Sequence, residues 1–193
     1  ENKWLSVLVQ SFLDEENFMD RFRIASAGKK WHHAAKGGLI QHCWEMTEIA
    51  ETMCRLYPNI DRDLLMTGVL VHDIGKLDEL SHDILVDYTT EGKLLGHLVI
   101  GCEMLNTRIA KIEGFPRDLQ VELQHLIISH HGEYQFGSPV LPKSLDAIVL
   151  NFVDTLDAQT NAYTRVVEET RAKRSNWSEY LQMIERQIWT REW

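Results

Sequence analysis

Between residues 39 and 56, Leu39, Met46, Ile49, Met53 and Leu56 recur at three- and four-residue intervals, with His42 in the same row. That spacing puts them on one face of an α-helix, which must bury the face against something. The pattern returns along the chain. Leu65, Val69 and His72 share a row, as do Leu94, Leu98, Gly101, Leu105, Ile109 and Ile112. Leu119, Leu123, Leu126, Ile127 and His130 form another, and Leu145, Val149, Phe152 and Leu156 a fourth. Trp4, Leu5, Leu8 and Phe12, then Phe18, Phe22 and Ile24, predict one or two N-terminal packing helices, the second opening at Asp14-Glu15-Glu16. Trp177, Tyr180, Ile184, Ile188 and Trp189 predict a last amphipathic helix. Pro58-Asn59, Gly75, Gly114, Pro116 and Gly132 punctuate the rows, and Asp61 is placed to cap a helix. Segments with strand character are few, so the expected fold is all-α, a bundle of about seven to nine helices.

The 193 residues suffice for one domain with a sizeable core. A net charge of −9 argues against a nucleic-acid binder that works through a broad basic surface, but not against a nuclease that grips its substrate locally. Cys43, Cys54 and Cys102 are odd in number and form no CxxC, which suits free thiols in a reducing compartment. No apolar run approaches the roughly 18 residues of a membrane span, and no signal peptide is visible. The expectation is a cytoplasmic protein without a membrane partner, with a homo-oligomer left open.

Chemistry-bearing residues fall on the helical rows in an unusual way. His42 sits inside its row, and His72-Asp73 ends the next. His97 lies beside a third, and His130-His131 closes a fourth. Asp154 interrupts the last row's helix on a second side, with Ala147 and Leu150; Asp157, one turn on, is expected as an ion-pair or supporting residue. His125 points well away from His130 and is read as a non-ligand, and nothing directs His82 inward. Imidazoles and carboxylates without thiolates suit divalent Mn, Fe, Co, Ni, Zn or Mg ions. The set His42, His72, Asp73, His97, His130, His131 and Asp154 exceeds what one tetrahedral ion takes, and fits two ions sharing a carboxylate, with Asp73 the natural bridge. Lys76 projects toward any anion held there. Gly28–Gly38, with His32, His33 and Lys36, is a basic loop ahead of a helix N-terminus, suited to phosphate contact. Residues 77–93 are expected to be a loop over the site, a lid or specificity element.

The order His, His-Asp, Asp resembles the HD-domain metal-dependent phosphohydrolase superfamily, an all-helical fold. Closer still, Trp31-His32-His33-Ala34-Ala35-Lys36-Gly37-Gly38-Leu39-Ile40-Gln41-His42, Asp61-Arg62-Asp63-Leu64-Leu65, Glu91-Gly92-Lys93-Leu94-Leu95-Gly96-His97, Ser129-His130-His131-Gly132 and Gly137-Ser138-Pro139-Val140 are similar to the YhaM-type bacterial 3′–5′ exoribonucleases. The likeness spans residues 28–163, leaving N-terminal packing helices (1–27) and a C-terminal helical extension (164–193) on either side. It implies one metal on His42, His72, Asp73 and Asp154, and a second on Asp73, His97 and His130, with His131 a further ligand or a substrate contact. A metal-activated water would attack phosphorus. Asp73, Lys76 and His131 are the candidate catalytic residues; His32, His33, Lys36 and Lys76 would hold the substrate, one of the histidines or Lys36 protonating the leaving oxygen. The implied activity is a phosphodiesterase, a 3′–5′ exonuclease on single-stranded RNA or DNA. The alternative is a hydrolase of a small nucleotide or cyclic nucleotide; a di-iron oxygenase and a non-enzymatic binding module rank below. The family it resembles carries an N-terminal OB-fold domain for single-stranded nucleic acid. No such β-rich segment occurs in these residues, so an OB-fold domain in a longer native chain is a further expectation.

Overall fold

The computed structural model describes residues 2–29, 32–81, 86–182 and 184–191. Among them are eight α-helices: α1 (Lys3–Leu13), α2 (Phe18–Ile24), α3 (Gly38–Leu56), α4 (Arg62–Val71), α5 (Lys76–Glu79), α6 (Thr90–Ile109), α7 (Arg117–Ser129) and α8 (Leu145–Ala172). A two-residue hairpin, β1 (Leu80–Ser81) against β2 (Asp87–Tyr88), is the one sheet among the described residues. No helix is long and apolar enough to cross a membrane among the described residues.

Local sequence explains where the helices start. Asn2, Asp61, Thr89 and Ser144 stand immediately before α1, α4, α6 and α8, and each side chain accepts hydrogen bonds from main-chain N–H groups in the first turn. Such caps satisfy donors that a helix cannot satisfy itself. α3 packs on α2, α4 and α8, α4 on α7 and α8, and α6 on α5 and α7. Leu39, Met46, Leu65, Leu105, Leu123, Leu126 and Leu150 fill the space between them and are almost fully buried. Phe12, Phe18 and Phe22 extend this core under α1 and α2, their rings 5.4 and 5.6 Å apart.

Four expectations need correction. Residues 77–93 are not one loop: α5, the hairpin and the start of α6 occupy them, while 82–85, including His82, lie outside the described residues, as does Trp31. α2 opens at Asn17, not at Asp14-Glu15-Glu16. Among the described residues of Trp177–Trp189 the tail forms no helix. It folds back as a ribbon, with Ser178 N–H donating to Ile188 and Leu181 N–H to Arg186, because aromatic and β-branched residues pair well as extended chain. Lastly, α8 buries Ala147, Val149, Leu150, Val153 and Asp157, whereas Leu145, Phe152 and Leu156 face outward. Of the row Leu145, Val149, Phe152 and Leu156, only Val149 turns inward, because α8 meets its neighbours through small and medium residues on the Asp154 side. A similar drift leaves Leu56 exposed at the end of α3 and Leu94 exposed before the bend in α6.

Candidate metal centre

Six helices or helix ends deliver side chains to one place. His42 comes from the middle of α3 and Asp154 from the middle of α8. His72 and His130 are the residues that immediately follow α4 and α7, and Asp73 and His131 come next. Lys76 opens α5. His97 follows Gly96, which has φ 73° and ψ 157° within α6. That backbone conformation is essentially reserved for glycine, and it breaks the helix so that His97 turns toward the other ligands. Gly75 permits the approach from the other side: a Cβ there would lie 2.1 Å from the His97 carbonyl oxygen.

The seven expected ligands form three overlapping groups whose donor atoms lie within 4.8 Å of one another: His42/His72/Asp154, His72/Asp73/His130 and His97/His130/His131. Asp73 sits between two sets. Its Oδ2 is 3.4 Å from His72 Nε2 and 3.9 Å from His42 Nε2. Its Oδ1 is 3.5 Å from His97 Nε2 and 3.6 Å from His130 Nε2. Asp154 Oδ1 lies 3.2 Å from His42 Nε2. Donors that each stand about 2.0–2.2 Å from one ion cannot be more than about 4.4 Å apart, and these distances meet that limit.

The hydrogen bonds on the far side of each ring point the same way. The Nδ1–H of His72 donates to the Val69 carbonyl (2.9 Å), that of His130 to Ile127 (2.7 Å) and that of His131 to Phe136 (2.9 Å). His42 Nδ1 donates to Asp157 Oδ2 (2.5 Å), and His97 Nδ1 to Glu79 Oε1 (3.0 Å). Each ring therefore turns Nε2 inward, where loss of its proton leaves a lone pair for metal, which is how histidine ligands are normally held. His42 Nε2, His72 Nε2 and Asp73 Oδ1 are buried and have no hydrogen-bond partner. Buried polar atoms are ordinarily satisfied, so these three are complementary to a cation. The residues present fit divalent metal.

The electrostatics agree. Burial pushes the Asp73 carboxyl up, but the charges of Lys76 and His72 and the His130 contact outweigh it and hold it well below the usual range. Asp154 is likewise lowered against its burial, chiefly by the His42 contact, and Asp157 by His33 and His42. Burial opposes the charged form of His42, yet Asp154 and Asp157 raise it to about 9. Carboxylates stay ionised here and draw positive charge inward.

A cavity of about 300 Å³ opens onto this cluster, lined by His32, Asp73, Lys76, His130, His131 and Asp154 among others. Of the expected substrate contacts, His32 and Lys76 line it. Lys76 pairs with Asp73 Oδ2. Burial, then the charges of Lys76 and His42, lower His32 to about 4, so it is neutral at pH 7. His33 and Lys36 are not brought to the cavity. His33 is buried behind His42, its Nε2 2.9 Å from Asp157 Oδ2, and Lys36 is exposed. His33, His42 and Asp157 are a hydrogen-bonded support. His125 accepts from the Lys143 N–H, away from the site. Glu79, which holds His97, lies in the segment 77–93 that reads as loop; a helical turn there would have shown an acid one turn beyond Gly75. Phe136 had no signal at all in the sequence.

The HD domain family model matches residues 39–159. The chain is 40% identical over 157 residues to the 3′-5′ exoribonuclease YhaM of Bacillus subtilis, covering 81% of this chain and 48% of that protein. It is 42% identical over 151 residues to the protein of that name from Bacillus licheniformis (75% and 46% covered). With that of Oceanobacillus iheyensis it shares 35% over 169 residues (88% and 52%). The chain spans about half the length of these curated relatives. No solved structure matches it significantly.

Proposed function

The chain belongs to the HD domain family, and on that premise we propose that it is a metal-dependent phosphodiesterase acting as a 3′–5′ exonuclease on single-stranded RNA or DNA. The observation that carries this reading is the Asp73 carboxylate, with one oxygen toward His42 and His72 and the other toward His97 and His130. That arrangement supports a carboxylate that two ions would share. His42, His72, Asp73 and Asp154 would hold one, and Asp73, His97 and His130 the other, with His131 adjoining. When bound, the ions supply Lewis acidity that lowers the pKa of water and neutralises phosphoryl charge. The activity in the relatives' name, 3′-5′ exoribonuclease, supports the direction of attack on the strand.

The chain's own groups do the rest. Asp73 and Asp154 stay ionised and fix the centre's charge. Lys76, buried beside Asp73, places an ammonium where a phosphoryl oxygen arrives, its charge kept against burial by Asp73. His32 is a neutral imidazole on the cavity wall and hydrogen-bonds the substrate as donor or acceptor. It gains a proton for the leaving oxygen only when substrate charge raises its affinity.

The test is a 5′-labelled single-stranded oligonucleotide incubated with the metal-loaded protein. A ladder shortening from the 3′ end is the expected result. Turnover of mononucleotides or cyclic nucleotides with the oligonucleotide left intact would overturn the exonuclease reading.

A further inference from the structure

The catalytic cavity does not end at the metal ligands. Beyond His131 it continues into a groove of about 420 Å³, and His131, Phe136 and Thr155 line both. The groove's walls are Phe136, from the turn after His131, and Ile148 and Phe152 on the outer side of α8, with Leu141 and Pro142 below. Phe136 and Phe152 are 63% and 67% exposed, unusual for two phenylalanines beside one cavity. Single exposed apolar residues need no explanation, but a contiguous set beside a reaction site does. Charge narrows the occupant. No lysine or arginine is among the described residues lining the groove, while Glu133 is, so a phosphate would be repelled there. An uncharged planar ring would not. The chain's net charge of −9 also removes a broad electrostatic grip on a polyanion, leaving local contacts: the metal centre and Lys76 for the scissile phosphate, and the bases for whatever lies beyond it.

We propose that this groove is a stacking subsite for a nucleobase flanking the scissile phosphodiester, with Phe136 and Phe152 as its aromatic surfaces. The proposal rests on the phosphodiesterase reading above. Stacking of this kind tolerates any base, because every base has a π-face, which suits an enzyme that must advance along a strand. Phe136 serves twice: its main-chain carbonyl accepts from His131 Nδ1, while its largely exposed side chain belongs to a residue that lines the groove. Substituting the side chain leaves that carbonyl in place, so ring and ligand support can be separated.

The experiment compares a normal oligonucleotide with one lacking the bases on both sides of the 3′-terminal linkage. The wild type should favour the normal strand on the order of 10- to 100-fold in kcat/KM. Phe136→Ala should bring that ratio toward one, Phe152→Ala should reduce it, and Phe136→Tyr should keep it. An unchanged ratio in Phe136→Ala overturns the proposal. A second arm reads binding without turnover: 2-aminopurine near the 3′ end of a phosphorothioate-linked strand should be quenched by wild type and not by Phe136→Ala. If the wild type shortens no strand, the phosphodiesterase reading falls, and the fluorescence arm decides the groove alone. Quenching lost in Phe136→Ala supports base stacking there; equal quenching in both proteins, or none in the wild type, overturns it.

Discussion

Asp157→Asn isolates the support of one proposed ligand, His42. Asp157 is 4% exposed, and its Oδ2 accepts from His42 Nδ1 at 2.5 Å and from His33 Nε2 at 2.9 Å. Asparagine keeps the shape and one acceptor oxygen but removes the charge. A hydrogen bond to a charged group contributes about 1.5–3 kcal/mol and a neutral one about 1 kcal/mol, so the bond to His42 weakens by roughly 0.5–2 kcal/mol. The ring becomes a poorer donor to metal and is less firmly aimed. Changes to such supporting carboxylates typically lower metal affinity by about 10- to 100-fold, which is about 1.4–2.8 kcal/mol and overlaps the bond estimate. Competition with a chelator of known affinity measures this directly, and circular dichroism shows that the fold is retained. Asp157→Ala should lose more, because it leaves two buried N–H groups unpaired at about 1–3 kcal/mol each. An asparagine variant that binds metal within twofold of the wild type would refute the idea that Asp157 acts through His42.

Asp73→Ala should abolish both metal binding and hydrolysis, read by metal analysis and the oligonucleotide ladder; full retained activity would remove Asp73 from the centre. Gly96→Ala forces a side chain into φ 73°, ψ 157° and should cost about 1–3 kcal/mol in urea denaturation while lowering bound metal, since His97 is displaced. Phe12→Ala removes a fully buried ring that packs on Phe18 and should cost about 3–5 kcal/mol in the same assay, with metal content per folded molecule unchanged. Chelation of the loaded protein should lower the thermal midpoint, by the equivalent of about 2.7 kcal/mol where free metal had stood at 100 times its Kd.

Residues whose position depends on local periodicity were legible in the sequence. His42 follows Leu39 by three residues and precedes Met46 by four, and helical geometry alone puts it on the buried face of α3. His72 and His130 are legible for the same reason at the ends of α4 and α7. The misread parts depend on what faces each helix, which no single segment encodes. On α8, Leu145, Phe152 and Leu156 outweigh Ala147 and Leu150 in apolar bulk, yet the partners α3, α4 and α7 meet the side with the smaller residues. The tail failed differently. Trp177 and Trp189 suit either a helical row or a bridged ribbon, and the spacing of the segment does not separate the two. Glu79 was hidden because its partner His97 comes from another element and is aimed by a backbone angle.

The two histidines at helix ends show how this fold would present the proposed ligands economically. The last carbonyls of an α-helix have no partner within it and need one. In α4 and α7 the residue just past the helix is a histidine, and its Nδ1–H donates to the carbonyl three residues back, Val69 or Ile127. One bond thus satisfies an orphan carbonyl, sets the imidazole tautomer and directs Nε2 at Asp73. Both termini also bring the negative end of a helix dipole to the same point, which favours a cation there by about 0.3–1 kcal/mol each at an exposed surface and more where partly buried. Asparagine in place of His72 or His130 therefore removes more than a ligand atom, because the shorter side chain cannot at once reach the carbonyl behind and the carboxylate ahead. The support of His42 and His97, which lie within helices, has no spare carbonyl to use, and there Asp157 and Glu79 take that part.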